Sequence, residues 1–150
     1  MTLYYLDSSA LVKLYIREAG TERMLALAGQ TPGHQLAVLA LAQVEVRSAF
    51  RRRQRAGEMG DRLTEELLAA FERHLESRFL RQVLTDTMLD FACKLLDQHR
   101  LSAFDAIQLA GYFAVRTAAG RDTSVFVCAD GELLAAAEIH GVPVIDPCAS

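Results

Sequence analysis

The sequence predicts an α/β fold: a single three-layer domain in which a mainly parallel sheet of about five strands is flanked by helices. Three observations predict it. Five short apolar runs carry β-branched or aromatic residues, at 3–6, 36–39, 79–84, 125–128 and 142–145. Between them, stretches at 9–18, 21–30, 40–56, 61–77, 85–99, 103–118 and 132–140 repeat apolar residues at helical spacing. No low-complexity tract or Pro/Gly/Ser-rich linker divides the 150 residues, so 1–150 is expected to form one domain.

Taken in order, the first run ends on a lone carboxylate in "YYLDSSALVKLY": Asp7, then Ser8 and Ser9, then an amphipathic helix. The second run feeds the helix "LAQVEVRSAF", residues 41–50. Around that helix Leu41 and Ala49 flank Glu45, while Gln43, Arg47 and Arg51 share the opposite face. Glu45 is therefore expected in the middle of the apolar face, where an isolated charge costs roughly several kcal/mol. The next helix carries a stripe of Leu63, Leu67, Leu68 and Phe71, which fits a core or a dimer face. After the third run and its helix, "LSAFDAIQLAGYFAV" is apolar nearly all round, with Asp105 in its first turn and Gln108 as its other strongly polar side chain. The fourth run is followed at two residues by Asp130, ahead of the last helix and strand.

Composition narrows the class. Apolar residues make up 51% and charged residues 23%, a globular balance. The net charge of -3 gives no global pull toward a polyanion, so such a partner needs a local patch. Met1 to Asp7 lack a basic leader, and no apolar run reaches the roughly 18 residues of a membrane span. A cytoplasmic protein with no membrane partner is expected. Cys93, Cys128 and Cys148 cannot all pair and form no zinc pattern with the four histidines, so reduced thiols are expected.

Ligands of open parallel sheets bind beyond the carboxyl ends of the strands, the edge that Asp7 and Asp130 occupy. Each acid also has a structural explanation. Asp7 and Asp130 fit helix N-caps, Asp105 fits a capping box with Ser102, and Glu45 fits a buried pair with Arg. Together they ask for more, because helix dipoles offset each charge by only about 0.3–1 kcal/mol. A divalent cation is the natural remedy, and an oxygen-only set suits Mg²⁺ or Mn²⁺. Such a site supports phosphodiester hydrolysis through an activated water.

The fragments "YLDSSALVKLY", "LAQVEVRSAF", "LSAFDAIQLA" and "VCADGELLAAAEIHGVPVIDP", in this order, resemble the PIN-domain family, in particular VapC-type toxins of bacterial toxin–antitoxin pairs. The resemblance implies a Mg²⁺- or Mn²⁺-dependent ribonuclease, a VapB-like antitoxin partner and a homodimer. It matches Asp7, Glu45, Asp105 and Asp130 to the family's catalytic and metal-holding acids, and Ser9 to a small hydroxyl residue that helps hold metal-bound water. Where the family often has Thr or Ser, Cys128 stands, and a weak thiol donor implies a looser fourth position. Arg51 and Arg52, in "RRRQR", are candidate RNA contacts; alternatively they form a solvated face suited to a helix C-terminus. The histidines lack metal-binding spacing, and Tyr4, Tyr5, Tyr15 and Tyr112 suit packing more than base stacking.

Three rival classes compete. A D-x-D phosphatase needs an acid where Ser9 stands, and a receiver domain needs a lysine after the last strand, where 142–146 has none. A catalytically weak PIN-like module that binds RNA or protein is the alternative that the residues leave open.

Overall fold

The computed structural model describes residues 1–30, 33–120 and 123–149. In chain order its elements are β1 (Thr2–Leu6), α1 (Ser8–Leu11), a 3-10 turn (Val12–Leu14), α2 (Thr21–Ala28), β2 (His34–Leu39), α3 (Ala42–Arg55) and α4 (Asp61–Ser77). There follow β3 (Phe79–Gln82), α5 (Asp86–Gln98), α6 (Ala103–Ala119), β4 (Ser124–Val127), α7 (Gly131–Ile139) and β5 (Val144–Ile145). The five strands pair in parallel in the order β3-β2-β1-β4-β5. This is the expected α/β architecture. β1 is central, and the order reverses between β1 and β4, so a ligand crevice belongs at their carboxyl ends.

Two apolar layers hold the sheet. Tyr5, Leu39 and Phe126 face one core with Leu95, Leu109, Tyr112 and Leu133 from the later helices. Leu6, Val38 and Val127 face the other, with Leu11, Phe50, Leu68 and Phe71. Burying each large side chain contributes about 1.5–3 kcal/mol. Of the α4 stripe, Leu68 and Phe71 are core while Leu63 stays 48% exposed. Among the described residues no helix is long and apolar enough to cross a membrane.

The strand expected over 142–145 narrows to Val144–Ile145, and two further elements are shorter than their patterns. The helix expected over 9–18 closes as α1 and a 3-10 turn ending at Leu14. Beyond it the Tyr15 ring lies 6.1 Å from Phe50 and 5.3 Å from Phe71, and its hydroxyl lies 2.7 Å from His74 Nδ1, so the chain is anchored where it leaves the helical path. The strand expected over 79–84 stops at Gln82, leaving Val83 and Leu84 exposed past a short sheet edge.

Candidate active site

Asp7 directly follows β1 and is only 2% exposed. It caps α1, and it does so with one oxygen: Oδ1 accepts the Ala10 N–H at 3.0 Å and the Ser9 hydroxyl at 2.7 Å. Ser9 Oγ in turn accepts the Ala129 N–H at 3.0 Å, which ties the β1 end to the β4 end. Oδ2 receives only the Cys128 thiol at 3.4 Å, a weak donor. Burial pushes the Asp7 carboxyl up to about 6, against the hydrogen bonds from Ser9, Ala10 and Cys128, and the charge of Asp105 adds to the rise. Burial also raises the Cys128 thiol, with Asp7 adding to it, so it remains a protonated donor. Cys128 thus bears on Asp7 as well as on the fourth acid, whose N–H it accepts at 3.3 Å.

Glu45 is half-buried at the border of the α3 face formed by Ala42, Val46 and Phe50, rather than at that face's centre. Among the described residues no arginine meets it. Instead Gln108 Nε2 donates to Glu45 Oε1 at 2.8 Å and also to Ser8 Oγ at 3.0 Å. Asp105 lies one turn before Gln108 on α6, half-buried, and Ser102 caps that helix by accepting the Asp105 N–H at 3.2 Å. Burial raises the Asp105 carboxyl above the usual range, then the Asp130 charge, with Glu45 and Glu132 adding and the Ser102 hydroxyl opposing. Asp130 caps α7 through Oδ1, which accepts the Leu133 N–H at 3.0 Å. For Asp7 and Asp130 the cap and the ligand readings therefore coexist, since each cap occupies one carboxylate oxygen.

Beside Glu45 and Asp130, but without Asp105 in its wall, opens a cleft of about 710 Å³, walled by Ser8, Ser9, Glu45, Ala129 and Asp130 together with Lys13, Arg52 and Arg53. Asp7 lies beneath this wall, held by Ser9. Glu18 bridges two of the cations, Lys13 at 2.9 Å and Arg53 at 2.6 Å. Arg52 has no side-chain partner among the described residues. Arg51 turns away from the cleft to pair with Glu65 of α4 at 2.7 Å. The tyrosines pack: Tyr5 and Tyr112 are wholly buried, and Tyr15 and Tyr4 stack edge-on against core or histidine rings. All three cysteines are free, and none of the four histidines lines the cleft.

The four acids meet the requirements of a divalent cation in three respects. They offer oxygen only, they raise one another's proton affinity at Asp7 and Asp105, and among the described residues no salt bridge neutralises any of them. Among the described residues no group of three or more His, Cys, Asp or Glu is arranged so that it could hold a metal ion. Mg²⁺ asks for few carboxylates and retains several waters, so an open set suits it. Gln108, Tyr5 and Ser8 form a hydrogen-bonded chain with Glu45, and Gln108 stands out in the sequence as the one amide of a mostly apolar helix.

The fold and site define a class: parallel-sheet domains that gather acids from separate elements at the carboxyl edge. Residues 4–111 match the model of the PIN domain family, and the chain belongs to that family. A search of curated proteins finds no significant match. Among solved structures it is similar to VapC20 of Mycobacterium tuberculosis, a sarcin-ricin loop cleaving toxin, at 20% identity over 89% of this chain and 94% of that one, with a TM-score of 0.65. It is also similar to VapBC-1 from nontypeable Haemophilus influenzae, at 14% identity over 99% and 100% of the two chains, TM-score 0.64. PAE2754 from Pyrobaculum aerophilum gives 24% identity over 90% and 86%, TM-score 0.53.

Proposed function

We propose that this chain is a divalent-metal-dependent endoribonuclease, the toxin of a VapBC-type toxin–antitoxin pair, working in the cytoplasm as one PIN domain over 1–150. The reading is supported by the charges of Glu45 and Asp130 acting on Asp105, and of Asp105 acting on Asp7, at the carboxyl edge of β1 and β4, with no salt bridge to any of the four among the described residues. RNA as substrate is supported by the fold shared with a toxin that cleaves the sarcin-ricin loop, and an antitoxin partner by the fold shared with VapBC-1. A homodimer follows from the family resemblance, and exposed Leu63 leaves part of the α4 stripe available to it.

In this reading the four acids hold Mg²⁺ or Mn²⁺, which when bound activates a water and offsets the charge of the phosphate under attack. Ser9 and the Ala10 N–H fix one oxygen of Asp7 and leave the other to the ion. Asp7, raised to about 6 in the metal-free chain, has to be ionised for this, so proton and cation compete for it and activity rises with pH, from a lower pH the more metal is supplied. Arg52, in the cleft and unpaired among the described residues, meets a flanking RNA phosphate. Arg51, held by Glu65, contributes little.

The test is cleavage of total cellular RNA by purified protein with Mg²⁺ or Mn²⁺, with and without EDTA, beside Asp7→Asn. Discrete fragments that vanish with chelator and with the variant support the reading. Cleavage that survives chelator refutes the metal mechanism. Equal inertness of folded wild type and variant points instead to a module that binds RNA or protein.

A further inference from the structure

Gln108 is a buried amide, 1% exposed, in a helix built for the core. Its carboxamide is nonetheless fully engaged. Tyr5 Oη donates to Oε1 at 2.9 Å across 103 residues of sequence, while Nε2 donates to Ser8 Oγ and to Glu45 Oε1. The orientation is fixed by chemistry: turning the amide over would set Oε1 against the Glu45 carboxylate, acceptor against acceptor. Tyr5 keeps its proton for this bond, because burial raises its hydroxyl and the charges of Asp7 and Glu45 raise it further. Gly111 makes the bond possible, since a Cβ there would lie 2.4 Å from Tyr5 Oη.

We infer that Gln108, oriented by Tyr5, is a positioning residue that sets the Glu45 carboxylate for cation binding by holding Oε1 and leaving Oε2 to the ion. The amide links α6, which carries Asp105, to α3, which carries Glu45, and to the start of α1 beside Asp7. An apolar residue at 108 would fill the same core space and leave Glu45 with no fixed direction. This inference rests on the metal-site reading above.

Mn²⁺ binding by calorimetry on the full chain tests it without relying on activity. The proteins are wild type, Asp7→Asn, Glu45→Gln, Gln108→Leu, Tyr5→Phe and the Glu45→Gln/Gln108→Leu double variant, each checked for fold by circular dichroism. Removing a group that orients a metal ligand typically costs about 10–100-fold in affinity, and Gln108→Leu is expected at the lower end, about tenfold. Tyr5→Phe, which keeps the ring in the core, weakens binding in the same direction by less, and it carries the test if Gln108→Leu does not fold. In the Glu45→Gln background Gln108→Leu adds little, because the carboxylate it positions is gone. An equal loss in both backgrounds overturns the inference, as does wild-type affinity in folded Gln108→Leu or Tyr5→Phe. If Asp7→Asn binds Mn²⁺ as wild type does, or wild type does not bind it, the metal-site reading falls and takes this inference with it. Loss in Asp7→Asn with wild-type affinity in Gln108→Leu overturns the inference alone.

Discussion

Asp7→Asn is expected to abolish activity and yet stabilise the metal-free protein. The carboxyl is 2% exposed and is raised from an ordinary 3.8 to about 6, so the folded chain retains a proton that the unfolded chain has already lost. The stability from that proton is complete below the unfolded value and disappears as pH rises through about 6. At about 1.36 kcal/mol per pH unit the loss amounts to about 3 kcal/mol by neutral pH. Asparagine keeps the cap, because its Oδ1 accepts from Ser9 and Ala10 as before, and Asn and Asp cap helices equally well. In place of Oδ2 it buries an NH2 group beside the Cys128 sulfur, a weak acceptor, at a cost of about 1–3 kcal/mol, so a net gain of up to about 2 kcal/mol remains, or at most roughly 4–8 °C in Tm for a chain of this size. Thermal melts in EDTA from pH 4 to 8 read the effect: the two proteins should nearly coincide at the acid end and separate above pH 6, with the variant melting higher. Saturating Mn²⁺ should then close the gap, since only wild type gains the binding energy, about 2.7 kcal/mol at a hundredfold excess over Kd. A variant that melts lower than wild type at pH 7.5 in EDTA would refute the claim that the Asp7 carboxylate is destabilised by its burial.

Two further outcomes follow from the same geometry. Gly111→Ala should cost about 1–3 kcal/mol in urea unfolding, because its Cβ would sit 2.4 Å from Tyr5 Oη and 3.2 Å from Leu39 Cδ1; an unchanged midpoint would mean that this packing is loose. Arg52→Ala should weaken RNA binding and reduce the salt slope by about one phosphate contact while leaving Tm unchanged, whereas Arg51→Ala should leave the slope alone.

The fold was legible because each strand run is short and apolar and each helix repeats its pattern over several turns. The candidate acids stand out in the sequence because a carboxylate at a strand end, or in an apolar helix, conflicts with its surroundings; in the structure Asp7 is buried and Glu45 and Asp105 are half-buried. Their partners were not legible. Nothing in sequence tells that Gln108 reaches Tyr5, 103 residues away, or that its amide donates to Glu45. Arg51 and Arg52 are neighbours in sequence but about 100° apart on the helix, and Glu65 on α4 captures the first and leaves the second facing the cleft. Glu45 sits at the border of its apolar face because Ala42, Val46 and Phe50, four residues apart, define which side is buried.

The central claim is that this acid-lined edge uses a divalent ion and water to cut RNA. Its most direct measurement is the end group of the new RNA termini after cleavage in ¹⁸O-water, with Mn²⁺ and with chelator. Water as the nucleophile gives ¹⁸O in the terminal phosphate, no 2′,3′-cyclic phosphate, and no product with chelator. Unlabelled 2′,3′-cyclic phosphate ends, formed equally in chelator, would show attack by the RNA's own 2′-hydroxyl and contradict the claim.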